Sequence, residues 1–344
     1  MVRRIGFCCQ WYHHDQTLKT KQLEEIQRPY NTKATTVRWL NEHKDQAEEK
    51  LDMVVKHNIE SLKKLVAKVG ELPLERRMVR LGSPVLPMAT EETWRYYIDS
   101  PDIVRYCEKH FGEVGDLARK LDVKVSFHPG QFTVLASESE DVVRRSIDEF
   151  EYHVNMARWM GFGKNWQDGC KINVHISGRQ GPEGIRKVLP RLSPEARNLI
   201  TIENDEVGWG LDASLQLEKD VALVLDIHHH LIRDEEYIQA NDDRVKRVID
   251  SWRGVRPTLH YSYFRDEALA SAGLGDDMHS QLHEMKSLVA NGAKKMKLRA
   301  HSDLLPNKAA NAWALTFLDN FDIQVEAKSK NLAAEQLYQQ SLTG

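Results

Sequence analysis

Leu223-Val224-Leu225-Asp226-Ile227-His228-His229-His230 is an apolar run that ends in one carboxylate and three imidazoles. Its first half reads as a buried strand. Polar groups at the end of such a strand need a partner, because an unpaired charge in an apolar setting is costly. The same pattern recurs along the chain. Val123-Lys124-Val125-Ser126-Phe127 runs into His128, Ile172-Asn173-Val174 into His175, and Leu199-Ile200-Thr201-Ile202 into Glu203. Thr258-Leu259 runs into His260, and Ile323-Gln324-Val325 into Glu326.

Eight segments read as strands: 2–7, 78–81, 123–127, 171–174, 199–202, 221–225, 257–260 and 322–325. Apolar spacing predicts helices over 102–120, 139–160, 183–190, 212–219, 242–252, 279–291 and 307–319. A further helix over 37–69, stopped by Gly70, is long for a globular protein, and a break near Asn58 is expected. Residues 9–35 show little periodicity and read as a long functional loop. Apolar strands alternating with helices imply a parallel sheet. Eight such units in one chain suggest an α/β fold, a single (β/α)8 TIM-type barrel, whose active-site residues sit at the C-terminal strand ends. The expected organisation is a barrel over 1–332, with an insertion at about 265–298 that ends in Lys294-Lys295-Met296-Lys297-Leu298-Arg299, followed by a C-terminal helix or tail over 333–344.

The candidate ligands are His128, His175, Glu203, Asp226, His229, His260, His301 and Glu326. Imidazole mixed with carboxylate suits zinc, manganese or iron and argues against an all-oxygen calcium cage. Eight ligands exceed the need of one catalytic ion, so two or three ions sharing carboxylates fit better. Clustered ions suit phosphodiester hydrolysis. A lone histidine at a strand end is more often a hydrogen-bonding loop residue. Position argues against that here: structural histidines scatter, as His13, His43, His57, His110 and His283 do, whereas the candidates share one level of one inferred barrel. After Asp226, residues three apart converge on one ion, with His228 and His230 as competitors of His229.

The 344 residues carry a net charge of −3, so a DNA partner would need a local basic groove. The pairs Arg144-Arg145 and Arg186-Lys187 read as solvated helix faces. No apolar run is long enough to span a bilayer, and no membrane association is expected. The N-terminus lacks the apolar core of a signal peptide. The spacing of Cys8, Cys9, Cys107 and Cys170 matches neither a disulfide framework nor a zinc motif, so reduced thiols in the cytoplasm (the nucleus in a eukaryote) are expected. In Phe127-His128-Pro129-Gly130-Gln131-Phe132, Pro-Gly turns the chain after the candidate ligand and presents an amide and an aromatic at the barrel mouth. That pair can fill the gap left by an extruded base. Packing within the loop is the other reading of Phe132.

With these residues in hand, the chain resembles the ultraviolet damage endonuclease family over roughly residues 1–332. The blocks that carry the resemblance are Phe127-His128-Pro129-Gly130-Gln131-Phe132, Val174-His175, Ile202-Glu203-Asn204-Asp205-Glu206, Leu225-Asp226-Ile227-His228-His229, Leu259-His260-Tyr261-Ser262, Arg299-Ala300-His301-Ser302-Asp303 and Val325-Glu326-Ala327-Lys328-Ser329-Lys330. The resemblance implies a barrel related to endonuclease IV, holding up to three divalent ions, with manganese first and zinc, magnesium or cobalt as alternatives. It implies a monomer that nicks double-stranded DNA 5′ to cyclobutane dimers and 6-4 products, with no nucleotide cofactor. The eight candidates become metal ligands, Glu203 and Glu326 the bridging or orienting carboxylates, and Lys328 a stabiliser of the phosphate in the transition state. Gln131 and Phe132 become the pair that probes the duplex, and Phe7 an aromatic near the lesion pocket.

The family usually has Tyr at Phe132, a ligand His at Glu91 and a Lys at Thr258 that is modified in some members. The resemblance therefore implies that Glu91 stands in as a metal ligand and offsets the anion lost at Thr258. Two rivals remain open from sequence: an abasic-site endonuclease on the same barrel, and a divalent-metal sugar isomerase or epimerase with a small closed pocket.

Overall fold

The computed structural model describes residues 2–343. Met1 and Gly344, the outer bounds of the two segments expected from sequence, lie outside the described residues. Eight parallel strands close into a barrel in chain order. They are β1 (Ile5–Cys8), β2 (Met78–Arg80), β3 (Lys124–Phe127), β4 (Lys171–His175), β5 (Ile200–Glu203), β6 (Ala222–Asp226), β7 (Thr258–Tyr261) and β8 (Asp322–Val325). Helices connect them on the outside, as parallel strands require.

The strand register sorts the side chains into two faces. Phe7 pairs with Val79 and Val325, Val174 with Ile202, Leu225 with Leu259, and Tyr261 with Val325. These are the outward positions, and they form the apolar core against the helices. The alternate positions face the lumen and are largely polar: Ser126, Asn173, Thr201, Thr258, His260 and Gln324 among them. The barrel's polar groups therefore meet one another inside, while apolar burial is carried by the strand–helix layer. At the N-terminal end of the lumen, Asp322 accepts from Lys124 and Arg256 at 2.9 and 2.8 Å.

Several expectations are corrected. The stretch read as a loop over 9–35 contains a helix at Thr20–Gln27, none of whose residues is buried, which is why it left no apolar period. The long helix breaks at His43, not at Asn58, giving Val37–Glu42 and Ala47–Gly70. Asn58 is buried mid-helix. Its side chain accepts from Lys33 N at 2.7 Å and donates to the carbonyls of Lys33, Pro84 and Val85. The residues after β6 are not strand end but a helix, Ile227–Asp234, with Asp226 as its N-cap. The insertion carries short helices at Asp266–Ser271, Met285–Ala290 and Lys295–Leu298 instead of one at 279–291. The last helix, Asn331–Ser341, follows β8 and packs beside β1. Among the described residues no helix is long and apolar enough to cross a membrane. All four cysteines are free thiols.

Candidate metal centre

The strand ends deliver a ring of imidazoles and carboxylates to the mouth of the barrel. Glu203, the last residue of β5, lies at its middle and is fully buried. Its Oε2 accepts from Asn173 Nδ2 and lies 3.3 Å from His128 Nε2, and its Oε1 lies 3.0 Å from His260 Nδ1. Burial alone would raise its pKa, but the charges of His260 and His175 with these hydrogen bonds hold it well below the usual carboxylate range. His128 donates Nδ1–H to Pro129 O at 2.8 Å, which turns Nε2 toward Glu203. Burial pushes this imidazole down to about 4.

Asp226 ends β6. Its Oδ1 accepts His229 N at 2.7 Å, and Asn204 clamps its backbone from both sides at 2.8 and 2.9 Å. Its Oδ2 is buried with no hydrogen-bond partner. Burial pushes this carboxyl up to about 7 despite the neighbouring His229. His229 donates Nδ1–H to Asn204 O at 3.0 Å and turns Nε2 toward Glu206 Oε2, 3.6 Å away. Burial lowers its proton affinity, but Asp226, Glu203, Glu206 and Glu326 outweigh that and push it up to about 10. Glu206 in turn accepts from Arg299 at 2.6 Å.

Among the described residues three groups have ligand atoms within 4.8 Å of one another: His128–His175–Glu203, His175–Glu206–His229, and Glu203–Asp226–His260. His175 is common to the first two and Glu203 to the first and third, so the groups interlock. The mixture of carboxylate and imidazole, one bare buried carboxylate oxygen and the outer hydrogen bonds that orient the rings fit divalent ions. His229 lies 3.8 Å from Asp226 Oδ2 without hydrogen-bonding it, so a cation arriving at that oxygen would offset its burial.

Of the three consecutive histidines, His229 is the one in a ligand group. His230 turns to Asp234 and Glu236 at 2.9 and 3.1 Å, and His228 lies between Phe264 and His301. His301 and Glu326 stand beside the groups without joining them. His301 donates Nδ1–H to Glu326 O at 2.7 Å, and the Glu326 carboxylate pairs with Arg80 and lies 3.3 Å from His260. The structure does not bring Glu91 to the ring: its Oε2 accepts from Thr93 N and Trp94 N at 3.0 and 2.8 Å, capping a turn. Thr258 is buried in β7, in register with Asp322. Phe7 is also corrected. It is 1% exposed in the outer core, its ring edge-to-face with Trp11 at a centroid distance of 5.8 Å, and offers no surface to a base.

Phe132 is 85% exposed, the most exposed large apolar side chain among the described residues, and Gln131 beside it is exposed as well. Gly130 O accepts Thr133 N at 2.9 Å and closes the turn that carries them. Packing within the loop is thereby excluded as the reason for Phe132. Lys328 is half exposed, 3.5 Å from Asp303 Oδ1. Sequence reading missed Arg80, Asn173, Asn204 and Glu206 as members of the site. Asn204 and Glu206 lie inside the acidic block after β5, and Arg80 is the lumen-facing end of β2, where the period-2 rule could have placed it.

A family model described as UV-endonuclease UvdE matches residues 4–344. The UV-damage endonuclease of Neurospora crassa is 28% identical over 54% of this chain and 30% of that protein. That of Schizosaccharomyces pombe is 26% identical over 75% of this chain and 39% of that protein. The chain thus spans less than half the length of these fungal relatives. The UV DNA damage endonuclease of Bacillus pumilus is 28% identical over 71% of this chain and 76% of that protein. Among solved structures, SacUVDE superposes with a TM-score of 0.71 at 21% identity, covering 99% of this chain and 97% of the other. Endonuclease IV of Thermus thermophilus superposes at 0.50 and 13% identity, over 82% and 93%. At these identities the superpositions speak for the fold.

Proposed function

Because the chain belongs to the UV-endonuclease UvdE family, we propose that it is a metal-dependent endonuclease that nicks duplex DNA 5′ to ultraviolet photoproducts, as a monomer and without a nucleotide cofactor. The observation that carries this reading is the pairing of a buried, interlocked ligand set with an exposed aromatic at the same barrel mouth. An exposed aromatic on a turn at the mouth is what stacking on an unpaired base needs.

The residues divide the work. His128, His175, Glu203, Glu206, Asp226, His229 and His260 would hold two or three divalent ions, manganese first among them. Ions in such a set activate water and stabilise charge on phosphorus and on the departing 3′ oxygen. Glu203 orients the imidazoles that share it. Arg80 keeps Glu326 ionised and fixed beside His260. Lys328 supplies a mobile cation to the phosphate. Phe132 and Gln131 enter the stack where a photoproduct leaves it weak, so extruding the lesion costs less than extruding a normal dinucleotide.

Relaxation of ultraviolet-irradiated supercoiled plasmid tests the reading, with and without EDTA, beside depurinated plasmid. Manganese-dependent nicking that scales with ultraviolet dose supports it. Nicking confined to depurinated plasmid would move the chain to abasic-site repair.

A further inference from the structure

The connection from β7 to the helix Lys308–Leu315 contains a tongue, residues 285–299, that holds Lys286, Lys294, Lys295, Lys297 and Arg299 and no acidic residue. In a chain of net charge −3 this is a concentrated local field. Lys286 and Lys295 approach the single carboxylate of Glu235 at 3.9 and 3.6 Å. Lys294 and Lys297 are exposed, with no ion pair among the described residues. Met296 stands between them at 72% exposure. Across a cleft of about 510 Å3 lies Val207, on the loop after β5 and 60% exposed. Met296 and Val207 thus face one cleft with Lys295, Arg299 and Arg233 on its rim.

The contacts of the tongue say where this surface sits. Arg299 pairs with Glu206 on the loop after β5, and Lys286 and Lys295 approach Glu235 at the end of the helix after β6. The loop after β3 carries Phe132, so the cations stand two to three strands round the ring from the aromatic. Arg299, at the base of the tongue, is bonded to Glu206 of the ligand groups at 2.6 Å. The tongue is thereby held in fixed register with the site.

We propose that the tongue is a second DNA contact, which grips the phosphodiester backbone on the β5–β6 side of the mouth, away from Phe132, through Lys294 and Lys297, with Met296 and Val207 against the sugar edges. The inference rests on the endonuclease reading and adds a surface to it. The charge pattern fits a polyanion lying across the whole mouth. A small acidic ligand would need only the cleft.

The test is binding of duplex DNA by the full chain over a range of salt, for the parent, a Lys294→Ser/Lys297→Ser variant and Met296→Ser. Metal content and thermal stability are compared first, since both substitutions are at exposed positions that should leave the fold intact. The slope of log affinity against log salt should fall by about 2 in the double variant, roughly 0.9 for each phosphate no longer neutralised, with affinity at physiological salt weakened by about 10-fold. Met296→Ser should weaken binding with the parent's slope. A double variant with the parent's slope and affinity overturns the tongue while leaving the endonuclease reading in place. A parent that binds no duplex overturns both.

Discussion

Arg80 at the end of β2 and Glu326 after β8 form an ion pair inside the ring of imidazoles, with side chains 14% and 9% exposed. Burial works against the charge of Glu326, but Arg80 and His260 outweigh it and hold the carboxyl far below its ordinary range. The protein thus carries a fixed cation of its own beside its candidate ion sites. Arg80→Met leaves Glu326 buried with His260 as its remaining partner, which is expected to cost up to about 3–5 kcal/mol in EDTA. Saturating manganese should recover part of that loss. Denaturant unfolding with and without metal checks it, and an equal loss in both conditions would show that ions at the neighbouring groups do not offset the charge of Glu326.

Asp226 acts twice, as helix N-cap through Oδ1 and as a bare acceptor through Oδ2. Asn keeps the cap and removes the charge. Asp226→Asn should therefore keep or raise the melting temperature of metal-free protein while weakening metal affinity by at least about 10-fold, as changes at ligands and the groups that support them do. Metal titration followed by elemental analysis reads the second effect. A variant that binds metal like the parent would remove Asp226 from the ligand set.

Much of this site was legible in the sequence, for a physical reason. A strand buried on both faces has little use for a terminal acid or imidazole, so His128, His175, Glu203, Asp226 and His260 stood out by chemistry against their apolar runs. Arg80 did not, because one cation at the end of a short strand looks like a solvated one until the ring closes around it. Glu91 shows the converse: its carboxylate is used by two backbone amides three residues or fewer away, a local bond that competes with any distant partner. The helix at Ile227–Asp234 was hidden by its own histidines, although Asp226 is a recognisable N-cap.

Phe132 touches little of its own protein, so Phe132→Ala should change stability by no more than about 0.5 kcal/mol. On damaged duplex the same variant should lose roughly 1–3 kcal/mol of stacking, about 5- to 150-fold in affinity. Phe132→Tyr should restore it. Loss of folding in Phe132→Ala would show that the ring packs on the protein instead.

At the other end of the barrel, Lys171 is buried with its ammonium 3.9 Å above the Trp166 ring, donating to Trp166 O at 3.1 Å. Burial pulls its pKa down from 10.5 to about 8. Between those values the unfolded chain binds the proton and the folded chain does not, so this group makes stability rise with pH from about 8 to about 10.5. Below about 8 both states are protonated and the cost is constant. The stability of the parent minus that of Lys171→Met should climb across this window. A flat difference would show that the lysine is not desolvated.

Whether the ligand groups cut DNA beside a photoproduct is read most directly by single-nucleotide mapping on an end-labelled duplex with one cyclobutane dimer. Metal-stripped protein should be silent, and added manganese should restore one nick immediately 5′ to the dimer, absent from undamaged duplex. Cutting in EDTA, or cutting of an abasic duplex alone, would contradict metal-dependent photoproduct cleavage by this chain.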